Sequence, residues 1–226
     1  MYERGTVKTA SGNTLPLKDH VPREEAVLLY RAVRKIKPAH TVEVGLGLGV
    51  SSVAILQALE NNSRGHHHIL DPYAKEAYDD AGLVTIAESG LGHRMTFHRN
   101  RIEDVYGSIP ECQFAFIDDG HIFDTTLAIF TLIDRRLKVG GVVGFHDLWL
   151  PSQQKVIRYI LSNRHYVLWH PKWGEYQKPA PPRWKPLARF LRPEVTQEWK
   201  RIGIPNLPLL MKKADDDRKW DFHRDF

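Results

Sequence analysis

Cysteine is nearly absent. Cys112 is the only one in 226 residues, so no disulfide can close within the chain, and a reducing compartment fits. That thiol precedes an apolar, strand-like run and reads as buried and inert. No apolar run approaches the roughly 20 residues of a membrane-spanning helix. The opening MYERGTVKTASGN lacks the apolar centre of a secretion signal, so a cytoplasmic protein is expected. Internal repeats are missing. The formal net charge of +5 is a small excess, which allows an acidic substrate without arguing for a nucleic-acid partner. What remains is ordinary for a globular chain: 42% hydrophobic and 26% charged residues, enough for one domain with a proper core.

The most informative stretch is TVEVGLGLGVSSVAIL, residues 41–56. A short β-branched strand runs into alternating glycines and then an apolar helix, which sets backbone N–H groups and a helix N-terminus against a ligand. A dinucleotide fingerprint needs G-x-G-x-x-G, but counting from Gly45 the third glycine would fall at Val50. The glycines run Gly45, Gly47, Gly49, with Glu43 two residues before the first. This E-x-G-x-G-x-G pattern resembles motif I of the class I S-adenosylmethionine-dependent methyltransferases. The resemblance implies that Glu43 helps hold the methionine end of that cofactor while Gly45, Gly47 and Gly49 pass beneath it. It also makes the Ser51 hydroxyl a contact for the cofactor carboxylate.

Residues 1–20 carry little pattern and read as an extended arm or cover. From Pro22, Ala26, Leu29, Val33 and Ile36 form one apolar helical stripe that Pro38 ends. After the core strand, turn and helix comes HHHILD. A strand turns successive side chains to opposite faces, so His66, His67 and His68 cannot converge on one ion. Asp71 ends that strand 22 residues after Gly49, where a carboxylate accepts bonds from ribose hydroxyls; the other reading is a turn cap. A helix over 81–89, a strand MTFHR, a strand QFAFI ending in DDGH, a helical stripe from Leu127 to Leu137, a strand VVGF ending in His146-Asp147, a helix from Pro151 or Ser152, and a strand YVLW follow. This alternation predicts a doubly wound, Rossmann-like seven-stranded sheet with helices on both faces. The residues divide into an arm (1–20), a core (21–169), a basic Trp/Pro-rich segment (170–205) and a last strand with its tail (206–226). Between His170 and Arg201 there are eight Lys/Arg against three Glu, which reads as a surface connection or as a lid beside the site. Leu207–Met211 gives the final strand, with Pro208 arguing against a central place.

In open α/β sheets ligands bind beyond the carboxyl ends of the strands. Glu43, Asp71, Asp118, Asp119, His121, His146 and Asp147 all fall at such ends. Asp118 and Asp147, on neighbouring strands, suit a hard divalent cation such as Mg²⁺, which would lower the pKa of a substrate hydroxyl. His121, three residues after Asp118, is the candidate base. FIDDGH with LKVGG and VVGFHD resembles the macrocin O-methyltransferase-like group of small-molecule and sugar O-methyltransferases. The resemblance implies Mg²⁺ on Asp118 and Asp147, His121 as base, a hydroxylated small-molecule substrate, and an antiparallel last strand between strands five and six. Where relatives commonly carry an acid or Asn after the strand-five Asp, this chain has Leu148. Asn100 and Arg101 stand where relatives usually offer a small residue and an Asp to the adenine. Two other readings stay open: a non-haem oxygenase using His121, His146 and one Asp, and a catalytically inactive cofactor-fold binding protein. Tryptophans in the basic segment leave room for a homodimer.

Overall fold

The computed structural model describes residues 2–18, 20–172, 174–175, 206–222 and 224–226. The expected lid at 170–205 therefore lies almost wholly outside the described residues. The first residues do not form an extended arm. They fold into a hairpin of β1 (Thr6–Lys8) and β2 (Thr14–Pro16), with Gly12 at positive φ in its turn and Gly5 at positive φ just before β1. Val7 is buried, Ala10 N–H bonds Asp79 O at 2.8 Å, and Lys8 pairs with Glu88 at 2.9 Å, so the hairpin covers one flank of the domain.

Pro22 sets up helix α1 (Arg23–Ile36), whose Glu24 and Glu25 lie in the first turn and Arg34 and Lys35 in the last. That order complements the helix dipole. Ala26, Leu29, Ala32 and Val33 bury its apolar stripe. There follow β3 (His40–Val44), α2 (Val50–Asn61), β4 (His66–Leu70), α3 (Ala74–Tyr78), α4 (Ala81–Ser89), β5 (Met95–His98), α5 (Ile102–Val105), β6 (Cys112–Ile117), α6 (Phe123–Asp134), β7 (Leu137–Phe145), α7 (Pro151–Asn163), β8 (Tyr166–His170), β9 (Gly174–Glu175) and β10 (Leu209–Lys212).

The strands stand in the order β5-β4-β3-β6-β7-β10-β8-β9. Strands β3 to β7 are mutually parallel, and β10 runs antiparallel between β7 and β8. The expected seven strands are present, with the two-residue β9 added at one edge. Pro208 is compatible with a central β10 because it precedes the strand and offers only its carbonyl, to Phe145 N–H at 3.2 Å. Val42, Val44, Ala115, Ile117, Val143 and Phe145 pack with α6 and α7. Phe114, Phe116 and Val142 pack with α1 and α2 on the other face, so helices cover both sides. Cys112 is buried, and burial pushes its thiol up to about 12, in keeping with an inert role. From β3 the chain steps outward through β4 to β5 and then returns to β6 on the opposite side of β3. That reversal opens a crevice beyond the carboxyl ends of β3 and β6.

Candidate functional site

Two groups of residues meet at that crevice. The first is the turn after β3. Gly45 has φ +97°, and a Cβ there would lie 2.3 Å from Asp118 O, so this glycine lets the turn pass against the end of β6. Gly47 has φ +49° and nothing within 4 Å of a Cβ, so its backbone borders open space. Gly49, left-handed, caps α2, and no side chain bonds the first N–H groups of that helix; these amides and the helix dipole favour an anion.

Beneath the turn, Glu43 is 0% exposed. Its Oε2 accepts from Ser52 Oγ and lies 2.8 Å from His67 Nε2, while His67 Nδ1 contacts Thr41 Oγ1 at 2.7 Å. Glu43 Oε1 is buried without a partner, an orphaned acceptor that calls for a ligand or water. Ser51 is buried in the first turn of α2, and the serine that reaches Glu43 is its neighbour. Asp71 Oδ2 accepts from Leu46 N–H at 3.0 Å and Gly47 N–H at 3.3 Å, and Oδ1 from Tyr73 N–H at 2.8 Å. It ties the turns after β3 and β4 together and keeps acceptor capacity to spare. Arg101, at the end of β5, donates to Tyr73 OH at 2.6 Å, which puts both side chains beside this turn.

The second group lies across β6 and β7. Asp118, His121 and Asp147 each offer a ligand atom within 4.8 Å of the others, the one such trio among the described residues. His121 Nε2 stands 3.1 Å from Asp147 Oδ2 and 3.5 Å from Asp118 Oδ1, close enough for charge pairing although no aligned hydrogen bond forms. These carboxylates, Asp118 first, push the ring up to about 9. Burial works to raise Asp118, yet its contacts with His121 and His146 outweigh it and hold the carboxyl down to about 2. Asp147 is lowered likewise, His121 overcoming burial. His121 and Asp147 carry φ of 37° and 57°, a local cost of order 1–3 kcal/mol each. Ser152 Oγ bonds His121 O at 2.6 Å and Trp149 Nε1 bonds Asp147 Oδ1 at 2.9 Å, holding both loops.

Other strand-end residues do not join the trio. His146 is spent on both nitrogens, Nδ1 at 3.1 Å from Asp118 and Nε2 at 2.9 Å from Glu25. Burial alone would lower this ring, but Asp118, Glu25 and Asp147 together push it up to about 10. Asp119 accepts from its own Gly120 N–H, and burial followed by the charge of Asp71 raises its carboxyl. Leu148 is buried in the core and supplies no ligand. Glu25 and Asn206 were not singled out from sequence. Asn206 bonds Glu25 and the Trp149 N–H. Glu25 lies 121 residues from His146 and Asn206 lies 57 from Trp149, and only the fold brings them together.

The donor set fits a divalent cation through two carboxylates, and the orphaned Glu43 oxygen and the open face of Gly47 fit a nucleoside cofactor. Residues 42–148 match a family described as a methyltransferase domain. The chain is 28% identical over 137 residues to tapetum-specific methyltransferase 1 of Arabidopsis thaliana, covering 57% of this chain and 55% of that protein. It is 25% identical over 158 residues to caffeoyl-CoA O-methyltransferase 2 of Petunia hybrida, covering 64% and 63%. The matched region thus spans somewhat over half the length of these curated relatives. In fold it is similar to the O-methyltransferase TomG from Streptomyces achromogenes in complex with SAM (TM-score 0.59, 13% identity, 86% of this chain and 82% of that one). It is also similar to an O-methyltransferase from Bacillus cereus in complex with SAH (TM-score 0.58, 16% identity, 67% and 74%). The similarity to a methyltransferase domain thus covers residues 42–148, and the two solved structures share the fold.

Proposed function

We propose that the protein transfers the methyl group of S-adenosylmethionine to a hydroxyl of a small molecule. The observation that carries this reading is the adjacency of the two groups: an open glycine turn on one side of the crevice, and the Asp118–His121–Asp147 trio on the other. Glu43 and the α2 amides would hold the methionine end, and Asp71 the ribose, with Tyr73 and Arg101 beside the base. The cofactor supplies an electrophilic methyl, so the protein's share is alignment and proton removal. The methyl leaves sulfur for the acceptor oxygen, the O–H proton passes to a base, and S-adenosylhomocysteine departs.

Asp118 and Asp147 would hold Mg²⁺, which would supply a lowered pKa at the acceptor hydroxyl. With the carboxylate charge unneutralised, His121 is protonated at neutral pH. It would serve as base when that charge is neutralised. The resemblance to sugar O-methyltransferases and the caffeoyl-CoA named in one relative both direct the choice of acceptors to hydroxylated compounds. The test is titration calorimetry with S-adenosylhomocysteine, then methyl transfer to a panel of hydroxylated sugars and phenols with and without chelator. Binding by the wild type and transfer lost in His121→Ala are expected. A wild type that takes up no S-adenosylhomocysteine sinks the proposal.

A further inference from the structure

Across one face of β3, β4 and β5, from the amino ends of β3 and β4 to the carboxyl end of β5, lies a set of histidines that the reaction site does not use. His66 and His68 point to one face of β4, and His67 to the opposite face, where it meets Glu43. Register places His40 of β3 directly beside His66, and His98 of β5 beside Leu70. Around His68 the ring centroids of His66, His40 and His98 stand at 5.2, 5.6 and 5.8 Å. His40 Nδ1, both nitrogens of His68 and His98 Nε2 are buried without a hydrogen-bond partner. Four orphaned imidazole nitrogens in one patch need a partner that the chain does not supply.

We propose that His40, His66 and His68 form a second metal site, for a borderline divalent cation of the Zn²⁺ or Cu²⁺ class, with His98 as a fourth imidazole. All-imidazole donors select that class over Mg²⁺ or Ca²⁺. Two imidazoles on one ion, each bonded at ~2.0–2.1 Å, put their ring centres roughly 5 Å apart, close to the separations here. His40 and His66 sit on strands about 4.8 Å apart, and His66 and His68 are spaced by about 6.6 Å along one strand. These three therefore form a compact triangle on one sheet face. Their nitrogens are not yet gathered within 4.8 Å, as those of the other trio are, so rotation of the rings completes the site. His66 Nε2 lies 2.8 Å from Thr96 Oγ1, a bond that orients the ring and leaves Nδ1 for the ion. Strand alternation thus excludes His67 from the HHH run, and a neighbouring strand supplies the third ligand in its place.

The inference is independent of the methyl-transfer reading, and its test avoids that site. Tag-free full-length protein carrying Asp118→Asn and Asp147→Asn is stripped with chelator and titrated with Zn²⁺ by calorimetry, and thermal unfolding is followed with and without Zn²⁺. One ion per chain and a raised Tm are expected, since a ligand of the native state stabilises it. Adding His68→Ala or His66→Ala should weaken Zn²⁺ at least tenfold and abolish the Tm increment, whereas His93→Ala, at an exposed histidine outside the patch, should do neither. Melting of the metal-free variants checks that they fold. No stoichiometric Zn²⁺ binding, or binding that survives both His68→Ala and His66→Ala, overturns the proposal.

Discussion

Gly45 and Gly47 sit two residues apart in one turn, and alanine at each should fail for a different reason. At Gly45 the new Cβ would fall 2.3 Å from Asp118 O and 2.9 Å from its carbonyl carbon, at φ +97°. Neither neighbour is a flexible side chain, so the end of β6 must move. Backbone strain of order 1–3 kcal/mol and an overpacking cost of about 1–3 kcal/mol add, giving a loss of about 2–6 kcal/mol. At Gly47, with φ +49° and open space around the Cβ, only the left-handed penalty of roughly 1–2 kcal/mol applies. For a domain of this size each kcal/mol moves Tm by about 2–4 °C, so Gly47→Ala should melt within a few degrees of wild type and Gly45→Ala well below it. Binding should show the contrast from the other side. The methyl group at 47 enters the space assigned to the cofactor, so S-adenosylhomocysteine affinity should fall tenfold or more, about 1.4 kcal/mol, in a protein that remains folded. Calorimetry and thermal melting on the same samples read both quantities. A Gly47→Ala variant that binds S-adenosylhomocysteine like wild type would refute the cradle, and a Gly45→Ala variant as stable as Gly47→Ala would refute the packing argument.

Two further outcomes follow from buried groups away from the crevice. Asp134 bonds Tyr166 OH at 2.6 Å, Arg164 at 3.3 Å and Lys212 Nζ at 3.2 Å, almost without solvent. Asp134→Leu leaves the buried Tyr166 hydroxyl without its acceptor, while Arg164 and Lys212 keep Asp216 and Asp215, so it should cost about 1–3 kcal/mol with unchanged S-adenosylhomocysteine affinity; an unchanged Tm would contradict this. The raised Cys112 thiol stays protonated in the native state after an unfolded chain has lost that proton. Its contribution to stability is therefore complete below about pH 8.5 and is lost as pH rises toward 12. Urea unfolding at pH 8 and 10.5 should show a smaller alkaline loss in Cys112→Ala than in wild type, and equal losses would remove the assignment.

Periodicity made the alternation of strands and helices legible, and the spacing from Gly49 to Asp71 marked the carboxyl end of the second core strand. These signals are local: a period of two or of 3.6, or a turn residue at a fixed offset. Non-local features were not readable. The pairing of Glu25 with His146 joins α1 to the end of β7, and in sequence Glu25 is simply an acid in a helix's first turn. The hairpin at residues 6–16 was missed because its strands are three residues long, too short to show alternation, and α3 at five residues has the same problem. Pro208 misled because a proline beside a strand looks the same in sequence whether its missing N–H faces the ladder or precedes it.

A parallel sheet with crossover helices is electrically asymmetric, and the polar residues here follow that asymmetry. Beyond the carboxyl ends of the strands lie helix N-termini, such as that of α2 with its uncapped amides, which carry roughly half a positive charge. Anionic groups gather there at least cost, including the carboxyl of an amino-acid cofactor. The amino ends of β3 and β4 follow the C-termini of α1 and α2, which carry the opposite partial charge and favour cations. His40 and His66 open those two strands. A cation held by neutral imidazoles in that position gains from the helix ends, whereas the same imidazoles at the other edge would work against the amides of α2. The α2 amides thus suit an anionic group and the amino ends of β3 and β4 a cation, so the histidine patch is chemically distinct from the glycine turn although β3 and β4 contribute to both.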